Sequence, residues 1–147
     1  MEVTRGTRTL NQNYTAVING RQSVEIRPQV SGTITQICID EGAKVKKGQT
    51  LVIIDQVPYE AALQTAIANV KNAEAAVATA RLTAESKEEL FKEHVVSDFD
   101  LQTARNSLFQ AEATLAQAKA DEINARNNLS YTEVKSPVDG VSGMLPY

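Results

Sequence analysis

Two ladders of apolar residues dominate the middle of the chain. They occupy residues 63–91 and 101–129, and each repeats at alternating steps of three and four residues. This period is typical of helices that pack as a coiled coil. Lys87 interrupts the first ladder and Glu122 the second. Two interpretations of these residues stay open. Either their charged ends stay in water at the edge of the contact between the helices, or they specify the register of the helices or contact a neighbouring chain.

The segment between the ladders, about residues 92–98, is too short to carry the chain anywhere except back along itself. Folding there places Leu63 opposite Leu129 and Val77 opposite Leu115. Both helices then run out of apolar positions at the same levels, which favours an antiparallel hairpin within one chain. The larger residues of this predicted hairpin core are Leu63, Val70, Val77, Phe91, Leu101, Leu108, Leu115 and Leu129.

Start signals locate both helices independently of the ladders. Pro58 suits a first helical position, because its ring fixes φ and its missing N–H is not needed there. Ser97 followed by Asp100 resembles a capping box with Asp in place of Glu or Gln, and Val96 with Leu101 has the spacing of a hydrophobic staple. These signals predict where the chain turns.

Short apolar runs separated by turn residues flank the hairpin on both sides. Residues 24–55 and 131–141 therefore predict short strands joined by tight turns. The stretches 26–32 and 134–140 resemble each other, which indicates an internal repeat. We predict an α+β fold in which an antiparallel two-helix coiled-coil hairpin is inserted between two halves of a small β-sandwich. The predicted turn residues of these halves are Gly32, Gly42, Gly48, Asp139 and Gly140.

Composition and charge limit the functions that remain. The chain has 147 residues and a net charge of −3, enough for one modest domain and the hairpin. Residues 58–129 contain eleven acidic and seven basic side chains, which excludes the basic stripe of a nucleic-acid binder. No apolar run approaches the roughly 20 residues that span a bilayer. No signal peptide precedes Val3, so secretion is not visible in this chain.

The sequence offers little material for catalysis. Cys38 is the single cysteine and lies in an apolar run, so we expect a small buried core residue. His94 is also single and has no second ligand at metal-binding spacing. No nucleophile motif, phosphate loop or acid/base pair is recognisable. We therefore predict no catalytic residue, no metal site and no cofactor.

The order of β half, hairpin and β half carries a specific resemblance. The run from Val30-Ser31-Gly32-Thr33-Ile34 through Glu41-Gly42-Ala43 and Lys47-Gly48 resembles the leading half of a biotinyl/lipoyl-type domain as found in periplasmic adaptor proteins, also called membrane fusion proteins. The run from Leu129 to Val141, with Ser136-Pro137-Val138-Asp139-Gly140, resembles the trailing half. Together with the hairpin, the resemblance covers roughly residues 24–147.

The resemblance implies a fragment of a longer adaptor. Residues 1–23 are then a strand segment of β-barrel and membrane-proximal domains that this chain lacks. Residues 24–57 form the first lipoyl-like half, 58–129 the hairpin, and 130–147 an incomplete second half.

The resemblance also implies the function of a non-enzymatic subunit in a drug or solute export pump. Such adaptors bridge an inner-membrane transporter of the resistance-nodulation-division (RND) type and a TolC-like outer-membrane channel. They lie in the periplasm, in association with the inner membrane. Several copies form a ring, for which we expect a hexamer or a trimer of dimers.

In this family the hairpin tip docks on the channel through Arg, three residues, Leu, six residues and Ser. Leu90 and Ser97 keep this spacing here. Ser86 stands where the Arg belongs, with Lys87 beside it, and a flexible ammonium does not replace a guanidinium fork. The apolar pair Val95-Val96 at the turn also fits a contact surface. The predicted contact residues are Ser86, Lys87, Leu90, Val95, Val96 and Ser97.

Three other functions fit parts of the sequence. An adaptor of an ABC-type or type I secretion exporter has the same architecture. A lipoyl or biotinyl carrier needs a modifiable lysine on a tight turn at the midpoint of the β domain, where this chain has the hairpin. A coiled-coil dimerisation protein is disfavoured, because each helix already has a partner of matching length in its own chain.

Overall fold

A computed structural model describes residues 6, 9, 11–15 and 20–143. The strand segment predicted within residues 1–23 falls in part outside these residues, and residues 144–147 fall entirely outside them. The α+β architecture with an inserted helical hairpin is confirmed. The elements in chain order are β1 (Ile34–Ile37), β2 (Lys44–Val45), β3 (Thr50–Ile54), α1 (Val57–Lys92), α2 (Asp98–Tyr131), β4 (Glu133–Lys135) and β5 (Gly140–Val141).

The two helices run antiparallel and pack against each other along their length. They contain 36 and 34 residues, and at 1.5 Å per residue the hairpin is about 50 Å long. Val70 and Ala73 pack with Ala118 and Leu115 in the middle of the seam. Pro58 occupies the second helical position rather than the first, because α1 begins one residue earlier, at Val57.

Seven of the eight residues of the predicted hairpin core are at least half-buried. Val70 and Leu101 are buried, and five others are half-buried. Phe91 differs, because it lies in the last turn of α1 and keeps 37% of its surface exposed. Alanine supplies much of the buried seam, which allows the helix axes to approach closely. The buried alanines are Ala66, Ala73, Ala84, Ala104 and Ala118.

Three ion pairs cross between the helices on one face of the hairpin. Their oxygen–nitrogen distances are 3.6 Å for Glu74 and Lys119, 3.7 Å for Arg81 and Glu112, and 3.2 Å for Glu88 and Arg105. From one pair to the next, the partner on α1 moves seven residues forward in the sequence and the partner on α2 moves seven residues back. The sign of the charge alternates along each helix. Slipping one helix by a heptad would bring like charges together, so the ladder of ion pairs favours the observed register.

The two charged interruptions of the apolar ladders have different surroundings. Glu122 is bonded within its own helix to Arg126, at 2.6 Å. Lys87 is half-buried near the tip, where its charge acts on Asp100. Of the two, only Glu122 has an ion-pair partner among the described residues.

Two small antiparallel sheets form the base, and each combines strands from both β halves. β3 lies between β1 and β4, while β2 pairs with β5. The buried apolar residues of the base are Val45, Leu51 and Ile54. The base therefore depends on contacts between segments that lie on opposite sides of the hairpin in the sequence.

The foot of the hairpin is held by Thr132, whose side chain is fully buried. Its hydroxyl donates to the carbonyl of Leu129 at 2.6 Å and accepts from the side-chain amide of Gln56 at 3.0 Å. Its own carbonyl accepts from the amide of Ile54 at 2.9 Å. This residue thus ties the end of α2 to β3 and to the start of α1.

Turns at the far side of the base are also joined across the two halves. The carboxylate of Asp139 accepts from the amide of Lys47 at 2.7 Å, and the amide of Gly48 donates to the carbonyl of Ser136 at 2.7 Å. Gly42 and Gly48 have φ of 77° and 82°, a region in which glycine carries no Cβ penalty. The turn residues therefore link the halves as well as reverse the chain.

The two glycines that the repeat aligns have different surroundings. A Cβ added to Gly32 would lie 2.6 Å from the Cγ2 of Ile54, whereas a Cβ on Gly140 would meet nothing within 4 Å. The repeat therefore does not extend to side-chain packing at this position.

The burial predicted for Cys38 is wrong, because its side chain is exposed. It follows β1, which pairs with β3 alone and whose four residues are all exposed. Among the described residues no second layer covers this edge of the sheet. An apolar run in the sequence therefore does not become a core strand here.

Candidate functional site at the hairpin tip

The first helix ends in a Schellman motif that reverses the chain. The amide of Val95 donates to the carbonyl of Leu90 at 2.9 Å, and the amide of His94 donates to the carbonyl of Phe91 at 3.0 Å. His94 has φ of 59°, in the left-handed region where glycine or asparagine is usual. These bonds turn the chain within five residues and project Val95 from the end of the hairpin.

The second helix begins with the predicted capping box, which is confirmed. The Ser97 hydroxyl accepts from the amide of Asp100 at 3.2 Å and donates to its carboxylate at 2.7 Å. Hydrogen bonds from the side chain and backbone of Ser97, with a smaller contribution from Lys87, lower the pKa of Asp100. The Ser97 hydroxyl therefore already donates its proton within the chain.

Acidification is expected to weaken this cap. The pKa of Asp100 is lower in the folded state, so its stabilisation is complete above the ordinary Asp pKa of about 3.9 and is lost as pH falls through the folded value. We expect Asp100→Asn to unfold at a lower temperature than the wild type at pH 6, and the difference to shrink towards pH 3. Thermal unfolding of both proteins across this range measures it. An equal difference at both pH values would contradict the assignment.

The predicted contact residues differ in how far they are exposed to solvent. Leu90 and Val95 are joined by their backbone hydrogen bond, and Val95 is 65% exposed. Ser86 is exposed one turn before Leu90 on α1. Val96 is half-buried, as Leu90 and Lys87 are. Among the predicted contact residues, the most exposed apolar side chain is therefore that of Val95, at the turn.

Phe99 is a tip residue that the sequence reasoning missed. It is the second residue of α2 and 77% of its surface is exposed. The available signal was an aromatic residue at a helix start, outside the apolar ladder. With Val95, it adds a large apolar side chain to the exposed end of the hairpin.

The described residues contain no group of three or more His, Cys, Asp or Glu side chains that would hold a metal ion. Among the helices in the described part of the chain, none is both long and apolar enough to cross a membrane.

The fold and sequence identify the family. The model for the barrel-sandwich hybrid domain of RND membrane fusion proteins matches residues 22–146. This chain therefore belongs to that family of adaptor proteins.

Individual relatives agree with this assignment. The multidrug resistance protein MdtE of Escherichia coli K12 is 42% identical, over 81% of this chain and 31% of its own length. The antibiotic efflux pump periplasmic linker protein ArpA of Pseudomonas putida is 38% identical, over 88% of this chain and 32% of its own. The chain thus spans about a third of the length of these relatives.

Solved structures show the same fold. The membrane fusion protein Spr0693 of Streptococcus pneumoniae R6 superposes with a TM-score of 0.64 at 22% identity, covering 78% of this chain and 46% of that one. At this identity the likeness concerns the fold.

Proposed function

We propose that this chain is the hairpin-bearing part of a periplasmic adaptor that bridges an inner-membrane RND transporter and an outer-membrane channel. One observation carries the proposal: a two-helix strut about 50 Å long ends in exposed Val95 and Phe99 and is fixed at its other end to a β base. A strut of this length suits contact between a tip and a base that lie in different layers of an assembly.

The anchorage of the strut supports a mechanical role. Besides the Thr132 contacts, the hydroxyl of Tyr59 in the first turn of α1 donates to the carbonyl of Ser31 at 2.6 Å. Both helices are therefore hydrogen-bonded to the base at the foot. A displacement of the base would be transmitted to the tip through these contacts and the packed seam.

The relatives support the RND type of transporter over an ABC-type or type I exporter. The matching domain model is that of RND membrane fusion proteins, and MdtE is named for multidrug resistance. ArpA is named as a periplasmic linker of an antibiotic efflux pump, which supports a periplasmic location. The base then faces the inner-membrane side, and the activity is bridging rather than catalysis.

Self-association into a ring completes the proposal. Several hairpins presented side by side raise the effective concentration of tips at the channel, so that weak individual contacts add up. A hexamer or a trimer of dimers provides such an arrangement. No single tip residue then needs to contribute a large share of the binding.

Site-specific crosslinking tests this function. Cys38 is exposed, so it is first replaced by serine. Single cysteines are then introduced at Val95 and at Phe99, with Lys46→Cys at an exposed position of the base as the control. We expect crosslinks to a TolC-like channel of the same genome from the two tip positions only. Crosslinks that form only from position 46 would contradict docking through the tip.

A further inference from the structure

The outward face of α2 carries no charged side chain. With Leu101 at position a of the heptad, every charged residue of α2 lies at position a, e or g, in the seam or beside it. Positions b, c and f point away from α1, and all of them are exposed and uncharged. In an ordinary solvent-exposed coiled coil the charges concentrate on this outward side. Depletion of charge is instead typical of surfaces that another protein covers.

Two apolar stripes face outwards, one from each helix of the hairpin. The stripe on α2 consists of Phe109, Ala116 and Ile123, and the stripe on α1 consists of Ala68, Ala75 and Leu82. All six residues are exposed, and Leu82, Phe109 and Ile123 each keep more than half of their surface in solvent. Within each stripe the spacing is seven residues, as in the seam of a coiled coil.

The two stripes lie at matching heights along the hairpin. The ion pair between Arg81 and Glu112 sets the level of one helix against the other. Counted from this pair at 1.5 Å per residue, Leu82 and Phe109 differ in height by about 3 Å. The same offset of about 3 Å separates Ala75 from Ala116 and Ala68 from Ile123. In a ring whose axis runs along the hairpins, neighbouring copies are not shifted along that axis, so surfaces that meet must lie at equal heights.

We propose that the α2 stripe of one copy packs against the α1 stripe of the next copy. The contact is heterologous, because each copy uses α2 on one side and α1 on the other, and such contacts continue until a ring closes. Ile123 then faces the small Ala68, and Phe109 faces Leu82. The inference rests on the self-association in the proposed function and deepens it, because it names the two faces that meet.

The charge and the area of the two faces fit a second copy as the partner. Between residues 58 and 84, Lys71 is the one charged residue on the outward positions of α1, and its long stem allows the ammonium to reach water at the rim. The outward face of α2 is about 50 Å long and about 10 Å wide, so the contact buries roughly 1,000 Å² in total. This area lies at the lower limit for a specific interface. A single contact is therefore weak, and closure of the ring gives each copy two.

Disulfide crosslinking in the complete adaptor tests this contact. Cys38 is replaced by serine, and cells then co-express two single variants, Leu82→Cys and Phe109→Cys. We expect mild oxidation to join position 82 of one copy to position 109 of another. Neither variant alone should crosslink, because a heterologous contact does not bring equal positions together. Ser107→Cys is the matched control for Phe109→Cys, since it is exposed on α2 but points to a different side of the helix.

A charge placed in the contact provides a second test. Ala116→Glu puts a carboxylate in the middle of the α2 stripe, whereas Thr114→Glu puts the same charge at an exposed position beside the seam. Sedimentation of the complete adaptor should show self-association about tenfold weaker for Ala116→Glu, because an unpaired charge is buried in the contact. Thr114→Glu should associate as the wild type does.

The outcomes separate this inference from docking of the tip. Crosslinks within either single variant, equal crosslinking to position 82 from positions 107 and 109, or equal weakening by the two glutamates would overturn the heterologous contact. Crosslinks from the tip to the channel without any between positions 82 and 109 would overturn this inference alone. Crosslinks between positions 82 and 109 without any from the tip would support it and count against docking.

Discussion

Replacing Ile54 by alanine is expected to lower the free energy of unfolding by about 2–5 kcal/mol. Ile54 is 2% exposed and ends β3, where its amide donates to the carbonyl of Thr132. The backbone at Gly32 approaches its Cγ2 too closely for any larger residue. Truncation therefore leaves a cavity between segments of both β halves, which cannot close without moving the foot of the hairpin.

Ile34 provides the matched control, because it is the strand partner of Ile54 in the sheet but is 53% exposed. We expect Ile34→Ala to change the free energy of unfolding by about 0.5 kcal/mol or less. Urea unfolding followed by circular dichroism measures both variants. Equal losses would show that the two isoleucines are equally buried in solution, contrary to the structure.

Replacing Leu101 by alanine is expected to loosen the tip, again at a loss of about 2–5 kcal/mol. Leu101 is 4% exposed and lies in the first turn of α2, next to the capping box. No other leucine of the hairpin is as fully buried. Its truncation leaves a cavity at the start of α2, close to the turn that joins the two helices. Hydrogen exchange should therefore become faster at residues 88–104 in particular.

Leu82 is the control for this variant, since it is a leucine on the same hairpin with most of its surface exposed. Leu82→Ala should leave both the exchange pattern and the stability close to those of the wild type. If Leu101→Ala accelerated hydrogen exchange evenly along both helices, the tip would not open independently of the rest of the hairpin. The hairpin would then open as a whole.

The hairpin was predictable because its signals are local and repeated. Each ladder spans several heptads, so one interruption such as Lys87 or Glu122 does not obscure the period. The capping box at Ser97 fixes the start of α2 to the residue. Pro58 fixed the start of α1 less sharply, because proline is tolerated throughout the first helical turn.

The base was harder to predict, since burial there depends on partners distant in sequence. Residues 37–39 form an apolar run, yet Ile37 and Cys38 are exposed because β1 is an edge strand. Ile54 looks no different from Ile53 in the sequence, but only Ile54 is buried. A strand of four or five residues carries too little periodicity to indicate which face the rest of the chain covers.

At the tip, the family pattern indicated Leu90 and Ser97 but not Phe99. The exposure of Phe99 follows from the tight turn and the cap, which set where the first residues of α2 point.

The split base also sets an order of events in folding. β3 ends at Ile54 and its partner β4 begins at Glu133, so 78 residues separate them. Pairing across such a distance is slow, because the chain loses loop-closure entropy before it gains the contact. Helices and their local pairing form in far less time. The hairpin therefore closes before the base does, and its closure brings the late strands to the early ones.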